Sequence, residues 1–256
     1  MSHMSEKRII VTGASSGIGE AVARQAVARG WQVLAVARRA ERLEALAAAT
    51  GCETFAADLT DEAAVAAFAE AAAAFRPTGL VQVAGGAKGA AHLAETTIDD
   101  WRWMFESNVI ATKRVIDAVL PLLRASTQDG GYAEIMVVTS IAATVSYQGG
   151  SGYNAAKSAE KQLVDVLRLE LHGEPIRVME IAPGMVWTEE FSLVRFGGDA
   201  DKAAKVYEGV TPLTADDVAD AVLWAVTRPA RVNVAEIILM PTVQSSVTMI
   251  QRDTSS

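Results

Sequence analysis

The chain has 256 residues, half of them hydrophobic and 21% charged, with a formal net charge of −8. A chain of this length can bury a substantial core, and its composition is typical of a soluble globular protein. The negative charge argues against non-specific binding of DNA or RNA, which needs a basic face. The single cysteine, Cys52, excludes an internal disulfide framework, so we expect a reducing, cytoplasmic setting.

No apolar run approaches membrane-spanning length, because charged residues interrupt the long Ala-rich stretches. The polar residues at the start of the chain lead directly into a predicted strand, so we expect no secretion signal. We therefore expect no membrane or nucleic-acid partner, and we assign no metal ligand.

Short Val/Ile-rich runs alternate with amphipathic, Ala-rich stretches from end to end, which predicts βαβ units and a doubly wound α/β fold. The near-continuous hydrophobicity of the runs is typical of strands buried on both faces of a parallel sheet. The predicted strands are Arg8–Thr12, Gln32–Ala37, Thr54–Ala57 (a weaker candidate), Gly79–Ala84, Glu134–Thr139, Ile176–Ile181 and Glu236–Met240. The predicted helices are Ile18–Ala28, Glu41–Ala49, Glu62–Phe75, Trp101–Leu123, Tyr153–Leu171 and Asp216–Thr227.

No linker, repeat or low-complexity tract divides the chain, so we predict a single domain over residues 1–256. The segment Trp187–Val210 breaks the alternation. Its Gly-Gly-Asp turn and mixed polarity predict an insertion, or a lid over the substrate.

A glycine-rich loop, Thr12–Gly19, follows the first strand and opens the first helix. Glycine permits the tight turn and lets backbone N–H groups approach a pyrophosphate, which a helix N-terminus also attracts. The spacing G-x-x-x-G-x-G differs from the commoner G-x-G-x-x-G, and such loops also hold other phosphates. Two serines add donors, so we predict a dinucleotide phosphate loop made of Gly13, Ser15, Ser16, Gly17, Ile18 and Gly19.

Two arginines at the end of the second predicted strand indicate which dinucleotide binds. An NAD site would normally place Asp or Glu there to hold the ribose 2′-hydroxyl, but this chain has Arg38 and Arg39. Guanidinium groups pair with a 2′-phosphate through bidentate hydrogen bonds, which favours NADP(H). The alternative is that both are solvated charges that open the next helix, with Glu41 and Glu44 as partners.

Asp58 and Leu59 follow the third predicted strand. Asp58 can accept a hydrogen bond from the adenine amino group, and it can equally cap the helix that starts near Thr60. We include both residues in the predicted cofactor site.

A hydroxyl, a phenol and an ammonium follow the fifth predicted strand as Ser140, Tyr153 and Lys157. Tyr153 and Lys157 are four positions apart in a predicted helix, so they share a face, and the ammonium favours the phenolate. Tyr153 can then act as general acid in reduction and general base in oxidation, with Ser140 donating to the substrate oxygen. Asn108 is either a tolerated polar position in a helix or part of a water-holding relay to Lys157.

These residues, together with Pro183-Gly184, resemble the short-chain dehydrogenase/reductase family over nearly the whole chain. The resemblance implies a Rossmann-type fold with seven parallel strands and helices on both faces. It implies a homotetramer or homodimer that pairs the helices Trp101–Leu123 and Tyr153–Leu171. It also implies that Asn108, Ser140, Tyr153 and Lys157 form the catalytic tetrad, with Lys157 and Tyr153 also at the nicotinamide ribose.

The resemblance extends to the cofactor loops, with one departure. Where the family usually has Asn-Asn-Ala-Gly after the fourth strand, this chain has Gln82-Val83-Ala84-Gly85. The asparagines usually brace neighbouring strands, so their loss puts stability or cofactor affinity in question more than chemistry. The further cofactor-site residues implied by the family pattern are Ala84, Gly85, Pro183, Gly184, Val186 and Thr188.

The C-terminal third resembles NADP-dependent dehydrogenases of serine and related 3-hydroxy acids, in Glu190–Phe196, Gly198-Asp199 and Met240–Thr242. This implies Arg195 as a clamp for a substrate carboxylate, although it is equally plausible as a surface arginine on a mobile loop. Four further residues are candidates for lining the substrate pocket or for packing, namely His92, Met185, Trp187 and Phe191.

The leading hypothesis is an NADP(H)-dependent oxidoreductase that acts on a small carbonyl/alcohol pair, with a 3-hydroxy acid such as serine as the candidate substrate. The alternatives are a reductase of uncharged aldehydes and ketones, a non-catalytic NADP-binding protein, and a nucleotide-sugar epimerase. A binding protein does not need the Ser140, Tyr153 and Lys157 set. An epimerase normally needs a larger C-terminal domain than this chain has after Pro183-Gly184.

Overall fold

The seven predicted strands form one parallel sheet in the computed structural model, which describes residues 7–253. The strand order is β3-β2-β1-β4-β5-β6-β7. The strands are β1 Arg8–Thr12, β2 Gln32–Ala37, β3 Glu53–Ala56, β4 Gly79–Gln82, β5 Ala133–Val138, β6 Ile176–Pro183 and β7 Glu236–Leu239. The helices are α1 Gly17–Ala28, α2 Ala40–Thr50, α3 Glu62–Phe75, α4 Ile98–Phe105, α5 Ala111–Ser126, α6 Ser151–Glu170, α7 Phe191–Arg195, α8 Ala200–Lys205 and α9 Ala215–Val226.

β1 and β2 have the predicted bounds, and the other five strands differ from them by one or two residues at an end. Side chains explain the clearest case. β4 ends at Gln82 rather than Ala84 because the backbone N–H groups of Val83 and Ala84 donate to the Thr12 hydroxyl, at 3.0 and 3.1 Å, instead of to a strand. β6 is longer than predicted, since Pro183 remains in register with the last residue of β7.

The sheet is buried on both faces because successive side chains along each strand point to opposite sides. Ile9 and Val11 pack with α1, α2 and α9 in one hydrophobic core. Ile10 packs with α3, α5 and α6 in a second core on the other face. The predicted α/β fold with helices on both faces of the sheet is therefore confirmed.

The long helix predicted over Trp101–Leu123 is wrong in one respect: it is interrupted. A π-helical turn, Glu106–Ile110, separates α4 from α5. The Asn108 side-chain amide donates to the Met104 carbonyl at 2.7 Å, so it takes the acceptor that a backbone N–H uses in a regular helix. Such π-helical turns often mark functional positions, and this one holds Asn108 inside the fold.

The strand order reverses between β1 and β4, where the chain returns to the centre of the sheet after β2 and β3. In open α/β sheets, ligands bind at the carboxyl ends of the strands at this switch point. The glycine-rich loop follows β1 and Ala84-Gly85 follows β4, so both predicted cofactor segments meet there. Within residues 7–253, no helix is both long enough and apolar enough to cross a membrane.

Candidate active site

One large cavity of about 1030 Å³ lies at the carboxyl ends of the strands. Loops after β1 to β6 line it from the sheet side, and the segment 187–210 lines it from the opposite side through Phe191, Arg195 and Tyr207. Most of the predicted site residues border this cavity. They are Gly13, Ser15, Ser16, Gly17, Ile18, Arg38, Arg39, Asp58, Leu59, Ala84, Gly85, Ser140, Tyr153, Lys157, Pro183, Gly184, Met185, Val186, Thr188 and Arg195.

The glycine-rich loop leaves room for a phosphate because it folds tightly on itself. A Cβ atom on Gly19 would lie 2.3 Å from the Gly13 carbonyl oxygen, so only glycine fits at that position. Gly19 itself supports the loop from behind and is not part of the cavity wall. The loop directs the N-terminus of α1, with its free backbone N–H groups, into the cavity. This cradle fits the pyrophosphate of a dinucleotide.

Of the two arginines after β2, Arg39 has partners different from those that the solvated alternative names. Arg39 donates to Ser15 Oγ at 2.8 Å and to Ser16 Oγ at 3.0 Å, and it forms an ion pair with Glu190. Arg38 is exposed at the cavity rim. Positive charge beside the phosphate loop fits a 2′-phosphate. The ion pair with Glu190 shows that the Arg39 guanidinium is accessible to an anionic oxygen.

Asp58 does not cap a helix. Its Oδ1 accepts from the Thr60 backbone N–H at 3.0 Å and from the Thr60 hydroxyl at 2.7 Å, while Asp61 caps α3 through the Ala64 N–H. Burial opposes its charge, but the Thr60 hydrogen bonds and the nearby Arg38 hold the pKa of Asp58 below its ordinary value. The helix-cap alternative for Asp58 is therefore wrong, and the residue remains on the cavity wall.

Tyr153 lies in the first turn of α6, buried between the sheet and the segment 187–210. Its ring contacts Phe191 edge-on, with centroids 5.7 Å apart, and the Arg195 guanidinium carbon lies 5.8 Å from its ring centroid. Ser140, just after β5, accepts the Ala142 backbone N–H through its oxygen at 3.1 Å. Since that bond uses a lone pair, the Ser140 hydroxyl keeps a proton to donate to a ligand.

Lys157 lies one turn after Tyr153 on α6 and is 4% exposed. Its ammonium donates to the Val138 carbonyl at 3.3 Å and to Glu160 Oε2 at 2.6 Å. Burial alone would lower the pKa of Lys157, but the charge of Glu160 and the proximity of Tyr153 raise it above the ordinary value for lysine. The buried ammonium is thus held in its charged form.

Asn108 supports the site from behind and does not itself line the cavity. Its amide donates to the Gly86 carbonyl at 2.9 Å, and its oxygen accepts the Gly86 N–H at 3.1 Å. A Cβ atom on Gly85 would lie 2.5 Å from the Asn108 oxygen and 3.5 Å from the Lys157 nitrogen. The chain after β4 therefore passes close to both side chains because residue 85 is glycine.

Among the candidates for the substrate pocket, Trp187 lies outside the cavity, contrary to the prediction. Its backbone N–H pairs with the Leu213 carbonyl at 2.7 Å, and the residue is 55% exposed. Arg195 is held at the cavity edge by the Gly89 and Gly149 carbonyls and the Tyr147 hydroxyl, at 3.1, 3.2 and 3.0 Å. Met185 lines the cavity, and its N–H donates to Gln244 Oε1 at 2.8 Å.

Gln82 replaces the first of the two asparagines and still braces its neighbours. It accepts from the Thr12 hydroxyl of β1 at 2.8 Å and donates to the Thr112 hydroxyl of α5 at 3.1 Å. Gln82 thus links β4 to both neighbours, and the question that the departure raises about stability or cofactor affinity stays open. Four residues that act at longer range were not predicted: Glu160, Tyr147, Tyr207 and Gln244. Glu190 was named only as the first residue of the stretch Glu190–Phe196. Only Glu160, three positions after Lys157 on the same helix, could have been found from spacing.

Comparisons with known proteins agree with this architecture. A family model described as short chain dehydrogenase matches residues 7–195. An uncharacterized oxidoreductase of Mycobacterium tuberculosis is 51% identical, with 94% of each chain covered. Serine 3-dehydrogenase of Agrobacterium fabrum is 40% identical, with 93% of this chain and 94% of that protein covered.

An NADP-dependent 3-hydroxy acid dehydrogenase of Salmonella typhi is 38% identical, with 93% of this chain and 96% of that protein covered. A solved structure, the closed form of serine dehydrogenase complexed with NADP+, superposes with a TM-score of 0.88 at 35% identity. The superposition covers 96% of this chain and 99% of the serine dehydrogenase chain. By its fold, its family match and its full-length relatives, the chain belongs to the short-chain dehydrogenase family, a family of oxidoreductases.

Proposed function

We propose that the protein is an NADP(H)-dependent dehydrogenase of a small 3-hydroxy acid, with serine as the first substrate to test. The observation that carries the proposal is the position of Arg195, whose guanidinium carbon is 5.8 Å from the Tyr153 ring centroid on the cavity wall. The hydroxyl-bearing carbon of a 3-hydroxy acid is separated from its carboxyl carbon by two carbon–carbon bonds of about 1.5 Å. Arg195 and Tyr153 therefore lie close enough on one cavity wall for a small substrate to contact both the cation and the acid/base phenol.

The cofactor part of the proposal is supported by the cradle at Gly13–Gly19 and by Arg38 and Arg39 at the cavity rim. The serine and 3-hydroxy acid dehydrogenases that resemble this chain carry NADP in their names or structures. When bound, the nicotinamide ring supplies or accepts the hydride. The remaining chemistry belongs to side chains of this chain.

In that chemistry, Tyr153 removes the hydroxyl proton during oxidation and returns it during reduction. Ser140 donates a hydrogen bond to the same oxygen and stabilises the charge that develops there. The Lys157 ammonium, one helical turn from the phenol, favours the phenolate electrostatically.

Arg195 orients the substrate through its carboxylate. Three of the five N–H donors of a guanidinium are engaged with Gly89, Gly149 and Tyr147, so two can face the cavity. Phe191 packs against Tyr153 beside it and excludes water from the reacting atoms. We also propose that the segment 187–210, which carries both Arg195 and Phe191, acts as the lid.

Two variants test this function in an absorbance assay with NADP+ and L-serine or 3-hydroxypropionate. Tyr153→Phe should abolish turnover while NADPH still binds, whereas retained turnover would refute the acid/base assignment. Arg195→Met should raise KM for the hydroxy acids and leave the oxidation of 2-propanol little changed. Equal effects on charged and uncharged substrates would remove the carboxylate from the proposal and favour uncharged carbonyl compounds.

We also propose that the protein is a homotetramer or homodimer. Val166 and Leu169 are exposed apolar residues one turn apart on α6. This helix is one of the two that the family resemblance assigns to subunit contacts. Neighbouring exposed apolar side chains are typical of a surface covered by a partner.

A further inference from the structure

The buried carboxylate of Glu160 contacts the Lys157 ammonium, and nothing in the reaction described above uses it. Glu160 is 1% exposed, and its Oε2 lies 2.6 Å from the Lys157 nitrogen. Removing one partner of a buried ion pair is strongly destabilising, because the other charge remains without compensation in a medium of low polarity. The pairing therefore affects the state of Lys157 itself.

The second oxygen of Glu160 is tied to the centre of the sheet by a chain of hydrogen bonds. Glu160 Oε1 accepts from the Thr112 hydroxyl at 2.9 Å, and Thr112 accepts from the Gln82 amide at 3.1 Å. The Gln82 oxygen in turn accepts from the Thr12 hydroxyl at 2.8 Å. Every donor in this chain of hydrogen bonds points toward Glu160. One Glu160 oxygen accepts from Thr112 and the other from Lys157, which is the pattern of an ionised carboxylate.

The remaining charged and titratable groups around the pair are few. Tyr153 lies on the same helix, and Glu180 of β6 faces the pair while it is itself bonded to Lys161 at 2.9 Å. Burial raises the pKa of Glu160 above its ordinary value, and the Lys157 ammonium and the Thr112 hydroxyl reduce that rise. Burial would likewise discharge Lys157, and the Glu160 charge is the largest influence that opposes it.

We propose that Glu160 is a positioning residue that holds the Lys157 ammonium charged and in place beside Tyr153, and that Thr112 and Gln82 anchor it to β1, where the phosphate loop begins. Glu160 acts through Lys157 and has no contact with substrate or cofactor in this role. The inference rests on the proposed roles of Tyr153 and Lys157, but the ionisation of Lys157 can be measured without either ligand.

The experiment is a pH titration of protein labelled with ¹³C at the lysine ε-carbon, followed by NMR. The Lys157 resonance is assigned by its loss in Lys157→Met. We expect Lys157 of the parent protein to stay protonated to the alkaline limit of folding. In Glu160→Gln its pKa should fall by about 1 to 3 units, the usual effect of one adjacent charge. Glu160→Asp, which retains the charge one methylene further away, should give an intermediate value.

Glu134→Gln is the matched control, because Glu134 is an equally buried carboxylate at the opposite end of the sheet, paired with Lys7 and Arg177. It should lower stability without moving the Lys157 titration. An unchanged Lys157 titration in folded Glu160→Gln would overturn the inference and leave Glu160 with a structural role only. If Glu160→Gln does not fold, Glu160→Asp provides the test. A Lys157 titration in Glu160→Asp identical to the parent's would then overturn the inference.

Activity provides the functional arm. Turnover of L-serine with NADP+ should fall in Glu160→Gln and recover in part in Glu160→Asp. The pH profile of turnover should differ from the parent's only in variants whose Lys157 titration also differs. If Tyr153→Phe keeps its turnover, the acid/base role proposed for Tyr153 fails whatever the titration shows. If Tyr153→Phe is inactive and the titration does not move, only the role of Glu160 fails.

Discussion

The two arginines after β2 should contribute unequally to the recognition of NADPH. Arg39 is pre-oriented by hydrogen bonds from its guanidinium to Ser15 and Ser16, so little side-chain entropy is lost when it meets a phosphate. A hydrogen bond to a charged group contributes about 1.5–3 kcal/mol, which is roughly 10- to 150-fold in Kd. Arg38 is exposed, and an exposed ion pair contributes about 1 kcal/mol or less, or roughly fivefold.

The measurement is fluorescence titration of Arg39→Gln and Arg38→Gln with NADPH and with NADH. The two nucleotides differ only in the 2′-phosphate, so the ratio of their Kd values isolates its recognition from any disturbance of the phosphate loop. We expect Arg39→Gln to reduce the preference for NADPH at least tenfold, Arg38→Gln to reduce it less, and the double variant to abolish most of it.

Arg42→Gln is the control, because Arg42 lies one turn further along and pairs with Glu189 at 2.8 Å. It removes the same charge and a similar contact with the segment 187–210, yet it should leave the NADPH/NADH ratio unchanged. Equal losses of NADPH and NADH affinity in Arg39→Gln would refute the assignment of Arg39 to the 2′-phosphate. So would a larger effect of Arg38→Gln than of Arg39→Gln.

Three further predictions concern charge, capping and assembly. Glu190→Gln removes the carboxylate that competes for Arg39, so NADPH should bind up to about fivefold tighter with little change for NADH in the same titration. Thr214→Ala breaks the capping box of α9 and should cost about 1 kcal/mol, or ~2–4 °C in the thermal midpoint by calorimetry. Hydrogen bonds from Thr214 lower the pKa of Asp217. The Asp217 carboxylate therefore stabilises the fold above the ordinary aspartate pKa, and this stabilisation is lost as the pH falls through the pKa of Asp217 in the folded protein. Asp217→Asn should flatten this acid dependence of stability. Leu169→Glu, at a position 76% exposed, should reduce the assembly to smaller species in size-exclusion chromatography with light scattering, and an unchanged mass would place the interface elsewhere.

Most of the cavity wall could be predicted because its residues follow strand ends in a fixed order. A phosphate loop after β1, arginines after β2, small residues after β4 and a hydroxyl after β5 converge wherever parallel strands share one edge. The segment 187–210 was predicted as an insertion or a lid, with Arg195 as the candidate carboxylate clamp. Which of its side chains face inward depends on its packing, so Arg195 and Phe191 line the cavity while Trp187 faces away from it.

The π-helical turn at Glu106–Ile110 could not be predicted, since the apolar spacing of α4 continues into α5 and one extra residue per turn leaves no mark in composition. The turn coincides with two contacts of the Asn108 side chain: its amide donates to the Met104 carbonyl, and its oxygen accepts the N–H of Gly86, a residue far away in the sequence.

The hydrogen-bonded layer behind Tyr153 and Lys157, formed by Glu160, Thr112 and Gln82, could not be predicted from the sequence either, for an electrostatic reason. Lys157 and Glu160 read as an ordinary i,i+3 pair of a solvated helix face, where such a pair has little effect. Packing of α6 against α5 and the sheet removes water from both, and the same two charges then control each other's protonation. Gln82 and Thr112 belong to this layer, because their hydrogen bonds satisfy the carboxylate that burial would otherwise penalise. Gln82 and Glu160 are therefore linked through one hydroxyl, because the Gln82 amide donates to Thr112 and Thr112 donates to the buried carboxylate beside Lys157.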